Sequence, residues 1–270
     1  MTPRIVLYCA LGGLPLTIAA AGAGHFAWWW LSGCVLAAAF LPVALFGPRG
    51  ALGQLGVISP VLLVVSVLCT WSEALLFIPD YKERAVGDLA GSAFLYLVTA
   101  AVLAALARVL RLTRDSDLAV PRRSPWLAVP LVLAGGCAYA FYYLVFGGIT
   151  YELFTKGYYP EATEQVAQLG LLFWAVQVGR GALMMVAVLP VVYTLRLRRW
   201  HAAVAVGMLV WVAGGLVPLL LPNEFMGATQ RFIHIVEILT QNAALGATAV
   251  MLLRARSLPA TSPRSMAAAP

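Results

Sequence analysis

Residues 196–224 read RLRRWHAAVAVGMLVWVAGGLVPLLLPNE: an arginine cluster, an apolar run over 203–221 without a charge, then a proline and an acid. A helix that spans a bilayer needs about 20 consecutive apolar residues, and this run has that length. Its flanks differ in sign, basic before and acidic after. That pattern, found once, predicts one membrane span with its basic end in the cytoplasm.

Moving outward, similar runs fall at 5–24, 26–46, 55–78, 89–110, 126–148, 166–194 and 230–253. Only helices and closed barrels satisfy their backbone hydrogen bonds in lipid, and continuous runs of this length are helices. The expected fold is therefore all-α and polytopic, with about eight transmembrane helices. Composition agrees: of 270 residues, 62% are hydrophobic and 11% charged, with a mean hydropathy of +0.88. A soluble domain carries roughly a quarter charged residues, so lipid must be the solvent for much of this chain. The run at 5–24 follows Arg4 and superficially resembles a signal peptide. It continues without a persuasive small-residue cleavage site, and reads as a retained first span.

The net charge of +7 does not point to nucleic acid, because the basic residues sit in short clusters beside apolar runs. With the N-terminus inside, Arg4, Arg49, Arg108, Arg111, Arg114, Arg122, Arg123, Arg196, Arg198, Arg199, Arg254, Arg256 and Arg264 fall on the cytoplasmic side. Lys82, Arg84 and Lys156 fall outside, with Asp80, Glu83, Asp88, Glu152, Glu161, Glu164 and Glu224. Adding or losing one span would destroy this asymmetry. Both termini are expected in the cytoplasm of what reads as a bacterial plasma (inner) membrane.

A single transmembrane domain, 1–253, is expected to precede a Ser-, Pro- and Ala-rich disordered cytoplasmic tail, 254–270. A weak internal repeat suggests two parallel four-helix halves, 1–112 and 124–253. Gly12-Gly13 recurs as Gly135-Gly136, FLPVALF (40–46) as VLPVVYT (188–194), and LFIPDY (76–81) as LLLPNE (219–224). Prolines and glycines also gather at span ends for reasons unrelated to duplication. Kinks are expected near Pro15, Pro60, Pro130, Pro190 and Pro218.

The informative residues are those lipid should exclude. A charge at the bilayer centre costs roughly 2.5–3.5 kcal/mol on insertion scales, yet Glu73, Arg180 and Glu237 lie within spans. In the last span, Arg231, His234, Glu237 and Gln241 are three, three and four residues apart and share one helix face, with Asn242 beside them. In the sixth span, Gln177 and Arg180 share a face, and Gly179 and Gly181 leave room for a neighbouring backbone. These eight residues are expected to cluster by depth in the outer half of the membrane, with Arg180 facing Glu237, or alternatively Glu73. Such a cluster is either interhelical pairing or a substrate site in which Arg180 holds an anionic group and a carboxylate exchanges a proton. The aromatics between Tyr139 and Tyr159 read mainly as an interfacial belt.

Cys9, Cys34, Cys69 and Cys137 all lie in apolar runs and read as packing residues. No zinc motif, phosphate-binding loop or haem-ligand pair stands out, so no metal or cofactor is expected. Three functions fit: a small-molecule or ion carrier, an intramembrane enzyme acting on a lipid or lipid-linked substrate, or an accessory subunit whose polar residues bind another membrane protein. Beyond the lipid bilayer, the expected partner is an unidentified small molecule, a lipid or a membrane protein.

Overall fold

The computed structural model describes residues 2–20, 24–78, 81–116, 118–221 and 226–255. Within them, eight helices are long and apolar enough to cross a membrane: α1 (Thr2–Ala19), α2 (Phe26–Phe46), α3 (Ala51–Phe77), α4 (Ala85–Val109), α5 (Pro125–Thr155), α6 (Leu171–Thr194), α7 (Arg199–Leu220) and α8 (Ala228–Leu253). Among the described residues there is no strand, only an isolated bridge between Arg122 and Arg254. The protein is an all-α, multi-pass membrane protein. Its outer surface is what lipid requires, with large apolar side chains such as Phe94, Phe141, Leu153 and Phe232 exposed, while Tyr8, Phe40, Met184, Met185 and Leu245 fill the centre.

Helix limits differ from the apolar runs where backbone geometry intervenes. The sixth run begins at Val166, but α6 begins at Leu171 because Gly170 takes φ of +54°, which breaks the chain. Residues Ala162–Leu169 form a separate short helix. The first span is broken near Gly13, and Pro15 opens its second segment. Three spans contain π-helical turns: α3 at Leu62–Leu68, α5 at Tyr143–Gly147 and Tyr151–Thr155, and α7 at Val212–Leu216. Pro60 precedes the first and Pro218 follows the last, each withholding a backbone N–H from its helix. The π turns of α3 and α7 lie against each other, and Ser66 Oγ donates to the Ala213 carbonyl at 2.8 Å.

Helices approach closely where glycines meet. A Cβ on Gly33 would lie 2.7 Å from Gly13 Cα, one on Gly181 3.0 Å from Gly136 Cα, and one on Gly246 2.5 Å from Gly207 Cα. The corresponding pairs are α1–α2, α5–α6 and α7–α8. α1 also packs on α4 and α5 on α8; α3 packs on α4 as α7 does on α8; and α2 meets α7 as α3 meets α6.

Eight crossings place both ends of the bundle's chain at one end, here called the near end. Arginines bind backbone there. The Arg196 guanidinium donates to the carbonyls of Phe46, Gly47 and Arg114, at 3.3, 2.9 and 3.3 Å. Arg254, just past α8, donates to those of Val192, Leu195 and Leu197, at 2.8, 2.6 and 2.9 Å. Burial and the neighbouring Arg199 push Arg254 down to about 10, which still leaves it charged at neutral pH. Order thus extends past the expected domain limit through Arg254 and Ala255, whose N–H reaches the Pro121 carbonyl. The rest of the expected tail, 256–270, lies outside the described residues.

Candidate functional site

Helix rise fixes the depth of each polar residue, at about 1.5 Å per residue from the far end. Glu73 lies four residues, about 6 Å, before the end of α3. His234 is about 9 Å into α8, and Glu237 and Arg180 are each about 14 Å into α8 and α6. The packing of α3, α5, α6, α7 and α8 brings them around one cavity of about 60 Å³, lined by residues that include Glu73, Arg180, His234, Glu237, Gln241 and Asn242. A buried water needs about 10–15 Å³ measured this way, so the space suits a few waters or a small ion.

Two ionisable couples face this cavity. In the first, Arg180 Nη2 donates to Glu73 Oε2 at 2.9 Å and Nη1 donates to Gln177 Oε1 at 2.9 Å. Tyr143 OH donates to the other Glu73 oxygen at 3.5 Å. In the second, His234 Nδ1 lies 2.9 Å from Glu237 Oε2, and Gln241 Nε2 donates to Glu237 Oε1 at 3.0 Å. The Arg180 side chain is 8% exposed and that of Glu73 is 36% exposed, so the couple is buried at its cation and accessible at its anion. Arg180 and Glu237 do face one interior space, but the carboxylate that binds the guanidinium is Glu73. Glu237 is held by its own helix, because the i,i+3 and i,i+4 spacing places His234 and Gln241 beside it.

Hydrogen-bonding capacity is left over at the cavity. Arg180 Nε, His234 Nε2 and Asn242 Oδ1 are buried with no hydrogen-bond partner among the described residues. Buried polar groups are normally satisfied, and these three belong to residues that line one space.

Of the eight expected site residues, Gln177 stands behind the cavity wall and braces Arg180. Arg231 does not join the lining; its Nη1 donates to the Leu221 carbonyl at 2.6 Å, where α7 ends. Sequence reading assigned Tyr139 and Tyr143 to the interfacial belt, whereas both line the cavity, and the Arg180 guanidinium lies 5.9 Å from the Tyr139 ring centroid. Their spacing of four, on the helix that carries Gly135 and Gly136, was the available signal. The Tyr159 ring lies tilted against the His234 ring, 5.8 Å away, at the far edge. Cys69, read from the sequence as a packing residue, and Thr70, not singled out there, also line the space one turn before Glu73.

The chain matches no known family, no curated protein and no solved structure. Function therefore rests on the site itself. Among the described residues, no group of three or more His, Cys, Asp or Glu side chains is placed to hold a metal ion.

Proposed function

We propose that the protein is a small-molecule or ion carrier of a bacterial plasma membrane, with its site at the Glu73–Arg180 and His234–Glu237 couples. The observation that carries this reading is an Arg–Glu ion pair and a hydrogen-bonded His–Glu couple, from three different helices, meeting at one cavity within the bilayer. Intramembrane ionisable residues are costly and mark substrate or proton pathways. Arg180 remains charged at any accessible pH and is the natural contact for an anionic group. Glu73, its more accessible partner, gives up the guanidinium when a ligand anion competes or a proton neutralises it. The His234–Glu237 couple holds or releases one proton beside the same space.

The packing also supports the four-plus-four duplication. Helix contacts in 1–112 have counterparts in 124–253, the glycine pairs of α1 and α5 are used alike, and α3 and α7 carry facing π turns. Parallel repeats with a site near their interface are a common carrier plan. We place both termini in the cytoplasm, on the arginine-rich near end.

Flux tests this reading. Proteoliposomes loaded with a pH-sensitive dye and given gradients of formate, acetate or lactate should show saturable proton movement, lost in Arg180→Lys and Glu237→Gln. No flux from the wild-type protein, across these anions and an alkali-cation panel, would reject the carrier. The unpartnered His234 Nε2 favours one second reading, an acid–base pair acting on a lipid-linked substrate. Turnover of such a substrate without flux would establish it instead.

A further inference from the structure

A second recess lies at the near end, apart from the central cavity. It measures about 390 Å³ and is lined by Arg4, Arg111, Leu112, Thr113 and Arg114, between the start of α1 and the turn that follows α4. That volume is within the range of small-molecule sites, and three of its five lining residues carry a positive charge.

The turn is rigidly built. Leu112 is buried, and its N–H donates to the Ala107 carbonyl at 3.0 Å. Thr113 Oγ1 donates to the Ala44 carbonyl at 3.2 Å, and the Arg114 N–H to that of Leu45 at 2.8 Å. Anchored on both sides, Arg111 takes φ of +51°, a left-handed conformation uncommon for a long side chain. The result is that Arg111 stands exposed beside Arg4. No acidic side chain among the described residues pairs with either one. Below them, where the bilayer begins, the outer faces of α1 and α4 are apolar, with Val6, Leu7 and Val109 exposed.

We infer that this recess binds the phosphodiester headgroup of an anionic lipid, with Arg4 and Arg111 on the phosphate and the acyl chains along α1 and α4. Basic pockets between membrane helices recognise such headgroups. The apolar faces that continue from the recess favour a lipid over a free anion. The inference stands independently of the carrier reading.

The test uses the full-length protein in neutral detergent at physiological ionic strength. It is titrated with short-chain phosphatidylglycerol, short-chain phosphatidylcholine or inorganic phosphate, and read by native mass spectrometry and thermal stability. Phosphatidylglycerol should bind saturably, one per chain, and raise the melting temperature. Arg4→Gln and Arg111→Asn should each weaken it about fivefold; asparagine tolerates the left-handed backbone. Arg108→Gln and Arg198→Gln, each of which removes one charge elsewhere at the near end, should each leave binding unchanged. Equal weakening in these controls would reduce the effect to a diffuse surface field and overturn the site. Equal binding of phosphatidylcholine would overturn headgroup recognition, and equal saturable binding of inorganic phosphate would make the ligand a free anion.

Discussion

Arg180 has two kinds of neighbour, and substitution separates them. Replacing Glu73 by Leu strands the Arg180 guanidinium, whose side chain is only 8% exposed; removing one partner of a buried charge costs about 3–5 kcal/mol, so a large fall in melting temperature is expected. Combining Glu73→Leu with Arg180→Met should recover most of that stability, as paired apolar replacements often do, while flux stays lost. A double variant with full activity would reduce the couple to structural glue. Glu237→Gln is the complementary change. The amide preserves shape and should fold nearly as the wild type does, yet it neither takes up nor releases a proton near neutral pH, so proton-linked flux should vanish with little change in melting temperature. The α8 stripe was legible in the sequence because three- and four-residue spacings survive any tertiary arrangement. The identity of the Arg180 partner was not, because whether Glu73 or Glu237 reaches it depends on how α3, α6 and α8 pack. Arg231 shared the stripe but sits in the first turn of α8, where the Leu221 carbonyl at the end of α7 takes it.

At the level of helices, close glycine contacts give a sharp contrast within one turn of α6. A Cβ on Gly181 would lie 2.5 Å from Tyr139 Cβ and 3.0 Å from Gly136 Cα, whereas Gly179 has open space around it. Gly181→Ala should destabilise by about 1–3 kcal/mol through overpacking. Gly179→Ala should be neutral or stabilising by up to about 1 kcal/mol, from helix propensity. Parallel thermal melts would check both, and equal effects would refute the assigned α5–α6 contact. The sequence marked both glycines as room for a backbone, and the structure uses only Gly181 that way. Apolar length made all eight helices legible. It did not reveal the π turns, because a one-residue register shift leaves no trace in a segment that is apolar on every face. Pro60 and Pro218 marked their neighbourhoods without specifying their form.

For the molecule as a whole, charge asymmetry was the legible quantity, and orientation is its testable content. Lys82 and Tyr158 are exposed at the far end, and Arg114 and Arg198 at the near end. Single cysteines at these positions, in a background without the four natural ones, should react with an impermeant reagent from outside at 82 and 158 only. Labelling at 114 would invert the orientation. The expected tail was legible as composition, but nothing in its sequence announced that Arg254 is anchored beneath the α6–α7 link by three carbonyls. That anchoring, with Arg196 joining the link after α6 to the end of α2 and the turn after α4, has a mechanical consequence. Hydrogen bonds from charged groups are worth roughly 1.5–3 kcal/mol each, and both guanidiniums bind main chain, which moves only when whole helices move. On the carrier reading proposed above, the near end therefore resists movement more than the far end: between pH 8 and pH 5, spin labels at 82 and 158 should change their separation by more than a pair at 114 and 198.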